Sequence, residues 1–259
     1  MSGHSTGFIG GGRITRIFLS GWNRAKAMPS KVVVSDIDSR VLSNLKDTFT
    51  AIEAAPGDNN AAAAQDIVFV ALPPPAIPDA LHPLKSALKA DAIVVSLAPK
   101  LTMAKLAGLL GGFDRLARVI PNAPSIVNAG FNPLAFSESL ATADRNVVKE
   151  VMRPLGSCCE TSEEKLEAYA VLTGMGPSYF WPILYELVAL GESFGLTRSE
   201  AESGMEYMLA GAMATMRGAE LDAKAVQDLI PVRPLADLEP TILDAYRAKL
   251  KAVFEKIKP

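Results

Sequence analysis

Residues that usually make nucleophiles and metal sites are scarce in this chain: it has two cysteines and two histidines in 259 residues. Cys158 and Cys159 are adjacent, a poor geometry for a structural disulfide and no metal-ligand spacing, so they are expected to pack on a strand. His4 lies near the amino terminus and His82 in a proline-flanked stretch. Neither has the partners that a zinc site or a Ser-His triad requires, and no metal is expected. Charge of one sign is also missing, with 26 Lys and Arg against 28 Asp and Glu and a net charge of −2. No basic field exists to hold nucleic acid or an anionic membrane. No apolar run approaches the roughly 18 residues of a membrane span. The first strand-like segment begins within ten residues of Met1, so neither a signal nor a transit peptide is expected, and the expected location is cytoplasmic.

What the chain does contain is ordinary for a globular protein, 49% hydrophobic and 21% charged. That is enough to bury a full core in one or two domains. Its organising feature comes first. Thr6-Gly7-Phe8-Ile9 runs into Gly10-Gly11-Gly12 and then a helical apolar pattern from Arg13 and Ile14 to Leu19. This order of strand, glycine turn and helix is that of a dinucleotide site. Gly10 permits the tight turn, Gly12 lets backbone N–H groups approach a pyrophosphate, and the helix offers its positive end to that anion. Thr15 takes the third position, where Gly or Ala normally allows close helix–strand packing. A second strand, Lys31 to Ser35, ends in Asp36, which follows Gly12 by 24 residues, close to the roughly 20-residue interval at which a carboxylate meets ribose hydroxyls. The bland alternatives are a plain glycine loop and an Asp36 or Asp38 that only caps the next helix.

Strands and helices then alternate. A short third strand is expected at Ile52-Glu53-Ala54 and a helix at Asn60 to Gln65. Asp66 to Leu72 is a continuous apolar strand of the kind buried on both faces of a sheet. It stops at Pro73-Pro74-Pro75, and a loop leaving the carboxyl end of such a strand is a ligand position, which places Ala71, Leu72, Pro73 and Pro74 beside the cofactor. A helix is expected at Ala80 to Ala90. The strand Ala92 to Leu97 turns at Ala98-Pro99-Lys100, with Ala98 a further cofactor contact. Leu116 to Ile120 stops at Pro121-Asn122-Ala123-Pro124. Asn122 is either a hydrogen-bonding residue for nicotinamide or substrate, or a turn former. Asn132 to Ser137 and Ser157 to Thr161 are expected as edge strands around a helix at Asp144 to Leu155.

After Thr161 the pattern is helix after helix. The fold class is therefore α/β, a Rossmann-type doubly wound sheet over residues 1–161, followed by an all-helical domain over 162–259. Thr173-Gly174-Met175-Gly176-Pro177-Ser178 interrupts the first helices and offers backbone donors for a substrate carboxylate. Gly191-Glu192-Ser193-Phe194-Gly195 has the form of a hydrolase nucleophile elbow, but it ends a helix where the elbow must follow a strand.

Several of these strings together resemble the pyrroline-5-carboxylate reductase family. Gly7-Phe8-Ile9-Gly10-Gly11-Gly12 is similar to its nucleotide loop. Arg118-Val119-Ile120-Pro121-Asn122-Ala123-Pro124 resembles its Arg-Val-Met-Pro-Asn-Thr-Pro stretch, and Thr173-Gly174-Met175-Gly176-Pro177-Ser178-Tyr179 its Ser-Gly-Ser-Gly-Pro-Ala-Tyr. The resemblance covers about residues 6 to 217. It implies hydride transfer from a reduced nicotinamide to a small cyclic imine, and a helical domain through which subunits intertwine as a homodimer or larger assembly. Asn122, Thr173, Gly174, Met175 and Gly176 are the residues it places near the substrate, and no acid–base residue is singled out.

Three departures stand out. Asp36 occupies a place where the family usually carries an Asn-Arg pair, which favours NAD(H) over NADP(H). The family's Ser-Pro-Gly-Gly-Thr-Thr substrate loop is replaced by Leu229-Ile230-Pro231-Val232-Arg233-Pro234-Leu235, where Arg233 is either a carboxylate clamp or a solvated side chain. Pro182 is compatible with a helix only in its first turn. Two other readings stay open: a related reductase of another imine or oxo acid using NAD(P) or a deazaflavin, and a protein that binds dinucleotide without turnover.

Overall fold

The computed structural model describes residues 3–259. Strands and helices alternate from β1 (Ser5–Ile9) and α1 (Arg13–Arg24) through β2 (Lys31–Asp36), α2 (Ser39–Thr48), β3 (Glu53–Pro56), α3 (Asn59–Ala63), β4 (Ile67–Val70), α4 (Ile77–Leu81), β5 (Ile93–Ser96), α5 (Met103–Leu109) and β6 (Leu116–Val119). Next come β7 (Gly130–Phe131), β8 (Leu134–Phe136), α6 (Thr142–Met152) and β9 (Gly156–Ser157). The main sheet has the order β3-β2-β1-β4-β5-β6-β8. Its neighbours are parallel except β8, which runs antiparallel to β6. Strand order reverses between β1 and β4, the switch point outside which ligands bind in such sheets.

The central strands are apolar throughout because both faces are covered. Phe8, Val34, Phe69 and Val95 pack with Phe18, Leu19 and Trp22 of α1 and Val148, Val151 and Met152 of α6. Alternate residues Ile9, Val33, Val68 and Val94 pack with Ala62 and Ala63 of α3, Ile77 and Leu81, and Leu106 of α5. Phe8 stacks on Phe69 at 5.0 Å and meets Phe18 edge-on at 6.0 Å. The buried Trp22 indole donates to the Val151 carbonyl at 2.9 Å, satisfying its one polar atom. At Gly7 a Cβ would lie 1.9 Å from the Ala62 carbonyl oxygen, so close approach of a helix to β1 is made through α3 at this glycine.

Several local expectations change. Ala80 to Ala90 is not one helix: α4 ends at Leu81, and a 3₁₀ segment, His82–Ser86, follows because Pro83 lacks the N–H an α-helix would need. Ser157 to Thr161 does not form an edge of the main sheet; Gly156–Ser157 pairs with β7, and only a single bridge joins Glu160 to Leu134. The amino-terminal end of β4 is tied to β1 by Asp66, which accepts from the Ser5 N–H and hydroxyl, both at 2.8 Å, and from Lys89 at 2.6 Å. Burial raises this carboxyl, but the Lys89 and Ser5 donors outweigh it and hold it at about 2. A depressed carboxyl contributes stability above its unfolded value near 3.8 and loses it as pH falls toward 2. Discounted for a pair that solvent reaches on both sides, the contribution is on the order of 1 kcal/mol. Asp66→Asn is expected to lower Tm at pH 6 and leave it unchanged near pH 2, read from melts across that range; an equal Tm decrement at both ends would rule the linkage out.

The chain packs as two compact units, one running to Met175 and including Val253–Pro259, the other Gly176–Ala252. The division falls after the change in sequence pattern at residue 161, because Glu163 and Glu167 are bonded to Arg118 of β6. They keep a 3₁₀ turn (Glu163–Lys165) and α7 (Leu166–Tyr169) in the first unit. The second unit is helical: α8 (Pro177–Ser193), α9 (Arg198–Gly218), α10 (Ala223–Asp228) and the greater part of α11 (Glu239–Ile257). Thr197 and Glu200 form a reciprocal capping box that starts α9. Pro182 lies in the second turn of α8 rather than the first, and costs that helix a hydrogen bond. Ser193 ends α8, its hydroxyl donating to the Leu190 carbonyl at 2.7 Å, as a helix-terminal residue and not an elbow nucleophile.

Candidate dinucleotide and substrate site

The glycine loop is shaped by three different constraints. Gly10 has φ +103°, and a Cβ there would sit 2.7 Å from the Ala71 carbonyl. Its N–H donates to Ser35 and holds the turn against β2. Gly11 donates to Asp36 Oδ2 at 2.7 Å. Gly12 is exposed at the start of α1, and a Cβ placed on it would meet nothing within 4 Å. Thr15 is fully buried, and its hydroxyl donates to the Gly10 carbonyl at 2.6 Å. The residue that departs from the glycine pattern thus closes the loop.

The amino terminus of α1 differs from the starts of several other helices. Asp38, Thr102, Thr197 and Asp222 accept from the first-turn amides of α2, α5, α9 and α10. Gly12 offers α1 no side-chain cap, and its first turn carries no acid. No side chain therefore caps the leading amides at the positive end of this 12-residue helix, whose start is exposed at Gly12 and Arg13 and followed by the half-buried Ile14. That arrangement suits an anion.

Asp36 closes the other side. Besides Gly11 it accepts from the Asp38 N–H through Oδ1 at 2.9 Å, so each oxygen holds one backbone amide and keeps a further lone pair. The β4 loop comes alongside through Ala71 N–H to Ile9 O at 2.9 Å, and β5 follows through Leu97 N–H to Val70 O at 3.1 Å. Leu72 and Pro74 are half-exposed there, and Pro73 is exposed. Ala98 is buried and backs the loop instead of facing an opening; its carbonyl accepts from Arg118 at 3.4 Å.

At the end of β6, Asn122 is buried and fully engaged on one side. Its Oδ1 accepts from the Phe131 N–H at 3.0 Å, and its Nδ2 donates to the Thr173 carbonyl at 3.3 Å. It clasps the strand end to the segment that carries Thr173, Gly174 and Met175. A Cβ on Gly174 would meet Ile120 at 3.3 Å. The segment Ala170–Gly174 is a π-turn, a form often found at functional positions. The Thr173 hydroxyl donates back to Tyr169 at 2.9 Å. Gly176 opens α8 in the second unit.

One cluster carries no signature in the linear sequence. Arg118, fully buried on β6, bonds Glu163 at 2.9 Å and Glu167 at 2.5 Å, and its Nε has no partner among the described residues. Glu163 also accepts from the Met103 N–H and Glu167 from the Lys100 N–H. Besides the place of Arg118 at the head of the string that runs to Pro124, the hints along the chain are an arginine in an otherwise apolar strand and two acids spaced i, i+4. Among the described residues no cluster of His, Cys, Asp and Glu fits a metal. Burial, with the neighbouring Cys159, pushes the Cys158 thiol up to about 11, so it is no nucleophile near neutral pH. No described helix is long and apolar enough to cross a membrane.

Comparison with known proteins agrees with this geometry. Residues 5–100 match the family model described as NADP oxidoreductase, coenzyme F420-dependent. Pyrroline-5-carboxylate reductase of Corynebacterium melassecola is 25% identical over 213 residues, 81% of this chain and 78% of that protein. The solved structure of a pyrroline-5-carboxylate reductase from Coxiella burnetii superposes with a TM-score of 0.70 at 28% identity, covering 99% of this chain and 95% of the other. The NADP-bound pyrroline carboxylate reductase of Plasmodium falciparum, at 19% identity, shares the fold with a TM-score of 0.79 over 99% of this chain and 96% of its own. The nucleotide loop, the Pro121-Asn122 turn and the Gly174 segment thus occur in one chain, in one order, on that shared fold, and the chain is similar along most of its length to pyrroline-5-carboxylate reductases, NAD(P)-dependent oxidoreductases.

Proposed function

We propose that the protein reduces a small cyclic imine that carries a carboxylate, using NADH. The observation that carries this reading is the uncapped start of α1 with open space at Gly12, beside an acid at the end of β2. The amides of Gly12, Arg13 and Ile14 take the pyrophosphate, and Gly10 sets the turn that aims them. The free lone pairs of Asp36 accept from the adenine ribose hydroxyls, while its charge opposes a 2′-phosphate. Ala71 to Pro74 border the second nucleotide, with Ala98 supporting from beneath. The coenzyme supplies the hydride; the protein positions the ring, excludes water and holds the substrate's anionic end. Asn122 contributes by fixing the Thr173 to Met175 backbone rather than by a free side chain. Because the Thr173 hydroxyl is committed to Tyr169, water is the proton source for the product amine.

Steady-state assays with NADH and pyrroline-5-carboxylate test this. Turnover supports it; coenzyme binding with no reduction of any imine or oxo acid would leave a non-catalytic binding protein. Wild-type protein is expected to bind NADH at least tenfold tighter than NADPH, and Asp36→Asn, which keeps an acceptor for Gly11, is expected to narrow that ratio to about one to threefold by fluorescence titration. An unchanged ratio removes Asp36 from the choice.

The helical unit is read as a dimerisation domain. Phe194, Tyr207, Met216, Ile230 and Val232 are each 66% or more exposed, far more apolar surface than a monomer usually shows. Sedimentation at micromolar concentration is expected to give a homodimer or larger assembly, and a monomer there counts against it. Arg233 is paired with Glu239, which favours its reading as a surface residue over that of a clamp.

A further inference from the structure

Four non-glycine residues have positive φ: Lys26, Lys100, Asn128 and Glu220. Three are explained by helix ends. Lys26 and Glu220 immediately follow the C-caps of α1 and α9, and Asn128 is itself the C-cap of the 3₁₀ turn Ala123–Val127, where the left-handed conformation satisfies terminal carbonyls. Lys100, at φ +78°, ends no helix. It lies between β5 and α5, in a conformation that disfavours any residue with a Cβ.

The structure holds it there at some expense. The Lys100 N–H donates to Glu167 at 3.0 Å, and Glu167 is fixed by the buried Arg118, which also bonds the Ala98 carbonyl. The ammonium itself makes no hydrogen bond or ion pair among the described residues, and the residue is exposed. Its charge is isolated in another sense. The loops that leave β4, β5 and β6, at 71–76, 97–102 and 120–124, contain no other Lys, Arg, Asp or Glu. Those strands form the half of the sheet over which the second nucleotide of a dinucleotide lies. A strained lysine is thus the sole charged residue within these three loops, with the Arg118, Glu163 and Glu167 cluster behind it, and its anchor Glu167 sits in the short helical stretch that leads to Thr173 and Gly174.

We propose that Lys100 is a specificity-determining residue that pairs with the carboxylate of the substrate on the nicotinamide side of the site. This rests on the reductase reading above. The backbone strain is kept because glycine, which would relieve it, carries no charge.

The test uses the full-length protein with Lys100→Gln and Lys100→Gly. Each variant is expected to raise KM for pyrroline-5-carboxylate about tenfold to hundredfold, with kcat within threefold, NADH affinity unchanged, and KM for 1-pyrroline, which lacks the carboxylate, unaltered. Lys100→Gly is expected to raise Tm by roughly 1–3 °C as the strain is released, so lost affinity accompanies gained stability. A KM that is unchanged, or that shifts equally for both imines, overturns the assignment. Calorimetric titration of proline and pyrrolidine into the NAD+-loaded protein reads the same contact without turnover. Lys100-dependent proline binding with no imine reduction overturns the reductase reading and keeps the carboxylate contact. Turnover with proline affinity indifferent to Lys100 does the opposite, and neither turnover nor proline binding overturns both.

Discussion

Replacing Arg118 with alanine is expected to cost about 3–5 kcal/mol of folding stability, the largest effect of any single exchange of a charged residue in this chain. The reason is what remains behind. Glu167 is 2% exposed and Glu163 about a quarter exposed at the side chain, and without the guanidinium one carboxylate is left buried with only the Lys100 amide opposite it. The two acids also hold the turn and helix that lead from residue 161 to Gly174, so the loss reaches the Asn122 clasp. Denaturant unfolding of Arg118→Ala, Glu167→Gln and the pair measures it. The double variant is expected to recover more than about 1 kcal/mol relative to additivity, since removing both partners removes the unpaired charge. Strict additivity, or a loss below about 1 kcal/mol for Arg118→Ala, would mean the network is not coupled as its geometry implies.

Gly12→Val is expected to abolish dinucleotide binding, by about 100-fold or more, while leaving Tm almost unaltered. Gly12 has ordinary negative φ and no neighbour within 4 Å in the direction of a Cβ. The fold therefore tolerates a side chain, but the side chain fills the space in front of the α1 amides. The contrast with its neighbours makes the test specific. Gly7→Ala places a Cβ 1.9 Å from the Ala62 oxygen, and Gly10→Ala adds left-handed strain to a 2.7 Å clash with Ala71, so both are expected to lower Tm by many degrees whether or not coenzyme is present. Coenzyme titration and melting of the three variants separate the roles. Undiminished affinity in Gly12→Val would remove the pyrophosphate from the start of α1.

Much of the framework is legible in one dimension for a simple reason. A parallel sheet buried on both faces needs continuous apolar strands, and Val32 to Val34, Ile67 to Val70 and Ile93 to Val95 declare themselves as such. Glycines and prolines mark where those strands stop. Sequence and structure part where a local signal is ambiguous. Ala80 to Ala90 has helical propensity, yet Pro83 turns its middle into 3₁₀. Ser157 to Thr161 has strand-like composition, but pairing partners for so short a segment are chosen by tertiary position.

The candidate site divides the same way. Asp36, the three glycines and the Pro121-Asn122 turn are visible as residue types at characteristic intervals. Thr15 looks like a defect in the motif because its hydroxyl bond to Gly10 joins residues through a loop shape that spacing does not specify. Asn122 looks like a free donor because its partners, Phe131 and Thr173, lie 9 and 51 residues away. Arg118, Glu163 and Glu167 are three ordinary charged residues until β6 and α7 are placed side by side.

By itself, then, the sequence determined that a strand, a glycine turn and a helix open the chain, that an acid follows at the end of the second strand, and that an alternating sheet gives way to helices. These depend on backbone preference and hydrophobic period, which act over a few residues. The tertiary structure alone decided which amides stay uncapped, which carboxylates are already committed, and that Lys100 is held in a strained turn by an acid 67 residues away. Those are properties of hydrogen-bond partners brought together by folding, and no interval along the chain encodes them.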